Sequence, residues 1–367
     1  MVIAGGKKHR RGGRVTMADV AETAGVSTTT VSFVLSGKEN VSISQETRDR
    51  VNEVARSLDY RRNAAARSLA SQRTKLLGVV TDVVTSPFAG DAILGVQDRA
   101  WSNDLQVLIA STEQHSPELE EAPFRILTDR QVEALAVIMT THRSVELPEE
   151  VLTVPSIIVN SFDAAGRVPS ITPDEVAGGY DATRRLVEAG HRRIALINLE
   201  PGRTAAVGRR QGYEQALHEG GITVDPALVR EGPADAHQGY GSARALLGLS
   251  DPPTGFFCAT DRIAMGAYDA IKEAGLRIPG DVSVVGFDDQ QILTEYLRPA
   301  LTTMRLPFRE MAERAVDMLA LAVSGDTNPP ESERMRCRLI ERESVSCPPS
   351  PGWAAVRQPT QAAGDKG

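Results

Sequence analysis

The stretch VTMADVAETAGVSTTTVSFVLSG, Val15 to Gly37, holds two short helices and the turn between them. Thr16 can cap the first, whose apolar residues are Met17, Val20, Ala21 and Ala24, and Asp19 three residues on completes a capping box. Gly25 breaks the run, and Ser27 caps a second helix expected from Thr28 to Ser36. At 100° per residue Val31, Val34 and Leu35 share one face, while Thr29, Ser32, Phe33 and Ser36 share the opposite one. Two short helices around a Gly-containing turn fit the helix-turn-helix unit. A third helix is expected from Ser44 to about Tyr60, with Val51, Val54, Ala55 and Leu58 on one stripe and Arg48, Arg50 and Arg56 on its other face.

The threonine cluster and the outward phenylalanine then acquire a purpose. A recognition helix enters the major groove N-terminus first. Threonine hydroxyls can bond to base edges or phosphates, and a phenyl ring can meet a thymine methyl. The competing reading is a small bundle in which Phe33 packs on another part of the protein and the threonines are only caps. Charge favours a polyanionic partner. Residues 1–75 carry a net charge of +7 and the remainder −14, within a whole-chain net of −7.

The run Val15–Gly37, followed by VSISQETRDRVNEVARSLDYRRNAAARSLAS from Val41 to Ser71, closely resembles the head of the lactose-repressor (LacI) family. The resemblance extends over roughly residues 15–345 and implies a transcriptional regulator, most simply a repressor. It implies DNA contacts from Thr16, Ser27, Thr28, Thr29, Thr30, Ser32 and Phe33. It also implies a hinge helix in NAAARSLA, with Asn63, Arg67 and Leu69 at the DNA and Leu69 as a minor-groove wedge. Two hinge helices side by side require a homodimer on pseudo-palindromic operator DNA.

From Leu76 the texture changes. LLGVVTDV, LQVLIAST, ALAVIMT, VPSIIVNS, RRIALINL, TGFFCATD and DVSVVGFDD read as strands, alternating with helical stretches such as DAILGVQDRAWSND, VAGGYDATRRLVEAG, RRQGYEQALHEGG and DRIAMGAYDAIKEAGL. That alternation means doubly wound parallel sheets, and the restart near 175 predicts two subdomains of the periplasmic-binding-protein kind. Ligands of such sheets bind outside the carboxyl ends of the strands, in the cleft between subdomains. The resemblance names the effector contacts: Arg209 in R-x-x-G-Y, the first aspartate of GFDD (Asp288), Phe88, and more weakly Asn160 and Arg203, with Thr260 at a further strand end. Arginine and carboxylate suit polar ligands, because each makes paired hydrogen bonds. The effector expected is a sugar, nucleobase or related metabolite. Thr260 stands where several sugar-responsive members carry Asn, and Pro173 where a strand-end Asp is common, which weighs against a simple sugar. Asp261 reads as a helix N-cap and Asp289 as a turn residue.

The organisation expected is a disordered basic extension (1–14), the helix-turn-helix domain (15–62), hinge and linker (63–74), an effector-binding and dimerisation body (75–345) with the chain crossing back near 303–325, and a disordered tail (346–367). No catalytic motif, metal site or cofactor is expected. There is no GxSxG, P-loop or HExxH, and GYGSAR (239–244) has the wrong spacing for a dinucleotide loop. Cys258, Cys337 and Cys347 form no CxxC pair. Apolar runs are strand-length and the N-terminus lacks an apolar h-region, so no membrane span or secretory signal is expected, and the cytoplasm with its nucleoid is the expected location. The alternatives are a catabolite-type regulator answering to a partner protein and, more remotely, an enzyme carrying a DNA-binding head.

Overall fold

The computed structural model describes residues 15–37, 41–61, 68, 73–112, 120–325 and 331–350. The chain divides into two compact units, 1–74 and 75–367.

In the first unit, α1 (Met17–Ala24), α2 (Thr28–Leu35) and α3 (Gln45–Ser57) pack around Val20, Ala21, Ala24, Val31, Val34, Val51 and Ala55. Thr16 Oγ1 accepts from the Asp19 amide at 3.3 Å and the Asp19 carboxylate accepts from the Thr16 amide at 2.8 Å, so the capping box is formed. Gly25 takes φ +66°, the left-handed C-cap conformation that a side chain would strain. The Ser27 hydroxyl accepts from the Thr30 amide at 3.1 Å. The second helix stops one residue short of expectation, with Ser36 as its C-cap, and the third ends at Ser57.

Among the described residues, the second unit contains two six-stranded sheets. The first has the order β13–β7–β5–β3–β1–β2, with β1 Leu76–Thr81, β2 Gln106–Ser111, β3 Ala134–Ile138, β5 Ser156–Val159, β7 Ser170–Asp174 and β13 Glu333–Arg336, all parallel. The second has the order β14–β12–β11–β10–β8–β9, with β8 Ile194–Leu199, β9 Val229–Gly232, β10 Gly255–Cys258, β11 Ser283–Asp288, β12 Thr302–Arg305 and β14 Arg338–Ile340. Only β14 is antiparallel to its neighbour there. Ser144–Val145 (β4) and Phe162–Asp163 (β6) form a separate two-stranded ribbon. β3, β5, β8, β10 and β11 are buried at every residue, because helices cover both sheet faces and leave no solvent side to demand alternation.

The chain passes between the sheets more than once. The helix Glu175–Glu188 follows β7 directly and packs on the second sheet, whereas the helix Phe308–Ser324 follows β12 and packs on β3 and β5 of the first. β13 and β14 then divide between the two. The short strands β7, β9, β12, β13 and β14, of three to five residues each, are elements the sequence pattern does not reveal. Runs that short show no period, and unlike the four-residue β5 and β10 each of these carries a charged residue that breaks the apolar run.

Two expectations need correction. The body does not end at 345. The Ser346 amide donates to Ser283 Oγ at 3.1 Å, its carbonyl oxygen lies 3.0 Å from His191 Nε2, and its hydroxyl donates to the Pro279 carbonyl at 3.0 Å. And Asp261 is not an N-cap. Thr260 caps that helix by accepting from the Ile263 amide at 3.1 Å, while Asp261 is fully buried and accepts from Thr303 Oγ1 at 2.6 Å and the Gln290 amide at 2.8 Å.

Candidate functional site

The carboxyl ends of strands from both sheets open onto one cleft of about 290 Å³. Phe88, Asn160, Arg203, Arg209, Thr260 and Asp288, chosen from positions spread over two hundred residues, all line it.

Each is held in a definite way. Phe88 stacks on Phe308 with ring centroids 4.6 Å apart. Asn160 sits at the end of β5 with φ +61°, and its Nδ2 donates to the carbonyls of Met139 (2.9 Å) and Thr140 (3.0 Å). Both amide hydrogens are thereby spent, and its carbonyl oxygen is the group it can offer. Thr260 spends its hydroxyl lone pair on the helix cap, retaining a donor. Arg203 is exposed, and its Nε donates to Glu200 at 2.8 Å.

Arg209 is 3 % exposed. Its Nε donates to Glu175 Oε2 at 2.8 Å, its Nη1 donates to the Ala259 carbonyl, and its guanidinium lies 3.7 Å over the Phe287 ring. Glycines make room for it. A Cβ on Gly179 would stand 2.7 Å from Arg209 Cα, so only glycine lets the helices Glu175–Glu188 and Thr204–Glu219 close to this distance.

Asp288 ends β11 with φ +121° and Asp289 follows with φ +58°, conformations that cost about 1–3 kcal/mol each and cluster at functional sites. Burial pushes the Asp288 carboxyl up to about 7, against the pull of Arg209 and of the Gln290 side chain, whose Nε2 donates to it at 3.1 Å. Asp261 beneath it is also raised, by burial and then by the Asp288 charge. Asp289 is more than a turn residue: its carboxylate accepts from Arg305 Nε at 2.7 Å and Arg342 Nη2 at 2.8 Å and anchors the loop.

Sequence reasoning missed Glu175 and His142, which also line the cleft. Glu175 Oε1 lies 3.2 Å from His142 Nδ1, and the two side chains are 5 % and 9 % exposed. Burial works against the Glu175 charge, but Arg209 and His142 outweigh it and hold the carboxyl below its ordinary range. The only available hint was position, two residues after the noted Pro173. Thr140 and Thr141 were missed as well. Thr140 is tied through its amide (2.7 Å) and hydroxyl (2.8 Å) to Asp82, a strand-end residue whose pKa burial raises.

In the first unit Thr16, Ser27, Thr28 and Thr29 are exposed, and Thr30, Ser32 and Phe33 are half-buried. The Ser27 and Thr30 hydroxyls lie 2.9 Å apart, so they hydrogen-bond to each other at the helix start that Ser27 caps. Asn63, Arg67 and Leu69 lie outside the described residues. Among the described residues no group of three or more His, Cys, Asp or Glu could hold a metal, and no helix is long and apolar enough to cross a membrane.

Residues 16–63 match the model of bacterial regulatory proteins, lacI family, and residues 183–345 match a periplasmic binding protein-like domain. The ribose operon repressor of Haemophilus influenzae is 34% identical over 333 residues, covering 90% of this chain and 98% of that protein. The HTH-type transcriptional repressor PurR of Vibrio atlanticus is 30% identical over 332 residues, with 90% and 98% covered. Among solved structures, the lac repressor dimer bound to operator and the anti-inducer ONPF superposes with a TM-score of 0.74 at 27% identity, covering 91% of this chain and all of that one. An α/β body of two parallel-sheet lobes behind a helix-turn-helix head is the architecture these proteins share, and the chain belongs to the lacI family of bacterial regulatory proteins.

Proposed function

We propose that occupancy of the cleft by a small polar metabolite sets the affinity of the N-terminal helix-turn-helix for its operator, with Arg209 and Asp288 as the principal effector contacts. As a member of its family the protein is a DNA-binding transcriptional repressor with an effector-binding body. The observation that carries the rest is the convergence of six separately chosen residues on one cleft between two lobes. A ligand spanning that cleft touches both sheets, so it can bind one arrangement of the lobes better than another, which is what a shift in operator affinity requires. Thr28, Thr29 and Phe33 are the proposed base-reading residues, Asn63, Arg67 and Leu69 the hinge contacts. The assembly is a homodimer on a pseudo-palindromic site, acting in the cytoplasm at the nucleoid. Control by a partner protein gains no support from the comparisons.

The experiment is a thermal-shift panel of sugars, nucleobases and nucleosides, followed by calorimetry of the hits on Arg209→Ala and Asp288→Ala. Both variants should lose the ligand while keeping a folded spectrum. Unchanged affinity in both would remove them from the site.

A further inference from the structure

We propose that Glu175 fixes the charge of ligand the cleft accepts, admitting uncharged polar effectors and turning away anions such as phosphate esters and carboxylates. The proposal rests on the effector-site reading above and sharpens it. A buried arginine on the floor of a pocket is ordinarily a fork for carboxylate or phosphate. In this cleft part of the fork is already engaged, and the hydrogens left over can donate to a neutral acceptor. Arg209 gives its Nε to Glu175 at 2.8 Å and an Nη1 hydrogen to the Ala259 carbonyl, and its plane lies over Phe287. Its charge is answered from within the protein.

Glu175 is not free to step aside. Its second oxygen faces His142 Nδ1 at 3.2 Å, and at 5 % exposure no water shell waits to receive it. Gly208 seats it there, for a Cβ at that position would stand 2.6 Å from Glu175 Cβ. An anion entering the cleft would therefore have to displace a buried carboxylate from two partners, or sit beside it as a like charge, and both are unfavourable. The other lining arginines do not compensate. Arg203 is exposed and held by Glu200, and Arg262 is exposed beside the Asp288 carboxyl.

What the cleft offers instead is two-way hydrogen bonding. Thr140, Thr141, Thr260, Asn160 and Gln290 line it alongside the Phe88 ring. Asn160 offers a carbonyl oxygen as acceptor, Thr260 a hydroxyl hydrogen as donor, and the Asp288 carboxyl, pushed up to about 7, can do either, and these match the hydroxyls or ring nitrogens of an uncharged ligand.

The test uses the full-length protein, wild type and Glu175→Gln, titrated at constant ionic strength with inorganic phosphate, ribose and ribose 5-phosphate. Glu175→Gln keeps the shape and removes the charge. The wild type should bind neither anion in the millimolar range, and Glu175→Gln should bind both at least about tenfold more tightly than wild type. Adding Arg209→Ala to Glu175→Gln should abolish that gain. Wild-type uptake of either anion that is lost in Arg209→Ala would overturn the proposal, and so would a folded Glu175→Gln with no gain. Should Glu175→Gln fail to fold, the wild-type titrations decide alone: no uptake supports the proposal, Arg209-dependent uptake overturns it. An uncharged ligand whose binding survives both Arg209→Ala and Asp288→Ala would strike instead at the effector-site reading, so the two failures are distinguishable.

Discussion

Replacing Gly179 with alanine should force apart the two helices that present Arg209. The added Cβ would stand 2.7 Å from Arg209 Cα and 2.8 Å from its carbonyl carbon, both backbone atoms that no rotamer change can move. Carbon pairs rest at about 3.5–4.0 Å, so the helix Thr204–Glu219 has to retreat by roughly 1 Å. Overpacking of that kind costs about 1–3 kcal/mol, and the better helix propensity of alanine returns about 0.5–1 kcal/mol of it. The net loss, up to about 2.5 kcal/mol, should lower the melting temperature of the body by up to about 10 °C, at roughly 2–4 °C per kcal/mol for a large domain. Gly241 provides the control. It too lies inside a helix, Ala236–Leu247, but it is exposed and a Cβ there would meet nothing within 4 Å. Gly241→Ala should raise the melting temperature by a few degrees through propensity alone. Differential scanning calorimetry of the two variants decides the matter. If Gly179→Ala melts at or above Gly241→Ala, the tight helix contact does not seat Arg209.

Three further outcomes follow from the geometry. Burial holds Asp288 protonated in the folded state up to about pH 7, whereas the unfolded chain ionises near 4. The folded state then binds the extra proton between those values, and its stability falls as pH rises through that window. Asp288→Asn should therefore be more stable than wild type at pH 8, and the advantage should shrink by pH 5; a constant difference would mean that Asp288 does not carry the shift. Phe33→Arg should move the operator preference toward guanine at one position in each half-site, by about 1–3 kcal/mol if the paired bonds form. Selection from a randomised operator library at one salt concentration checks it, and identical preferences for both proteins would leave Phe33 to packing. Leu69→Ala should weaken binding to the selected operator by a few kcal/mol and leave random duplex nearly untouched, since nonspecific binding is backbone electrostatics. Equal losses on both DNAs, measured by fluorescence anisotropy, would end the wedge role.

What the sequence disclosed and withheld divides by range of interaction. Thr16 with Asp19, Ser27 with Thr30, and Gly25 at φ +66° are contacts within four residues, and each could be read from spacing. Strands β3, β5, β8 and β11 stood out because burial on both faces makes them continuous apolar runs. Strands such as β13, ERMR, did not: it pairs with β7 across more than 150 residues and carries three charges in four positions. Asp261 was misplaced because Thr260 beside it can cap equally well, and only the tertiary partners Thr303 and Gln290 show which residue caps and which is buried. The same holds for Glu175 and His142. Neither belongs to a local motif, and their pairing exists only once β3 and β7 lie in one sheet and Arg209 arrives from the other lobe. The family motifs named Arg209 but not the carboxylate that answers its charge.

The central claim, that the cleft governs the head, is tested most directly by operator binding measured with and without ligand. A compound taken from the thermal-shift panel of sugars, nucleobases and nucleosides is titrated into wild type and Arg209→Ala on the library-selected operator, at one salt concentration. Wild-type affinity should change by about 5–150-fold on saturation, the usual range of coupling between two sites. Arg209→Ala should hold the operator as well as ligand-free wild type and show no change. A wild type whose operator affinity is indifferent to a ligand bound in the cleft, or an Arg209→Ala that responds as wild type does, would contradict the account.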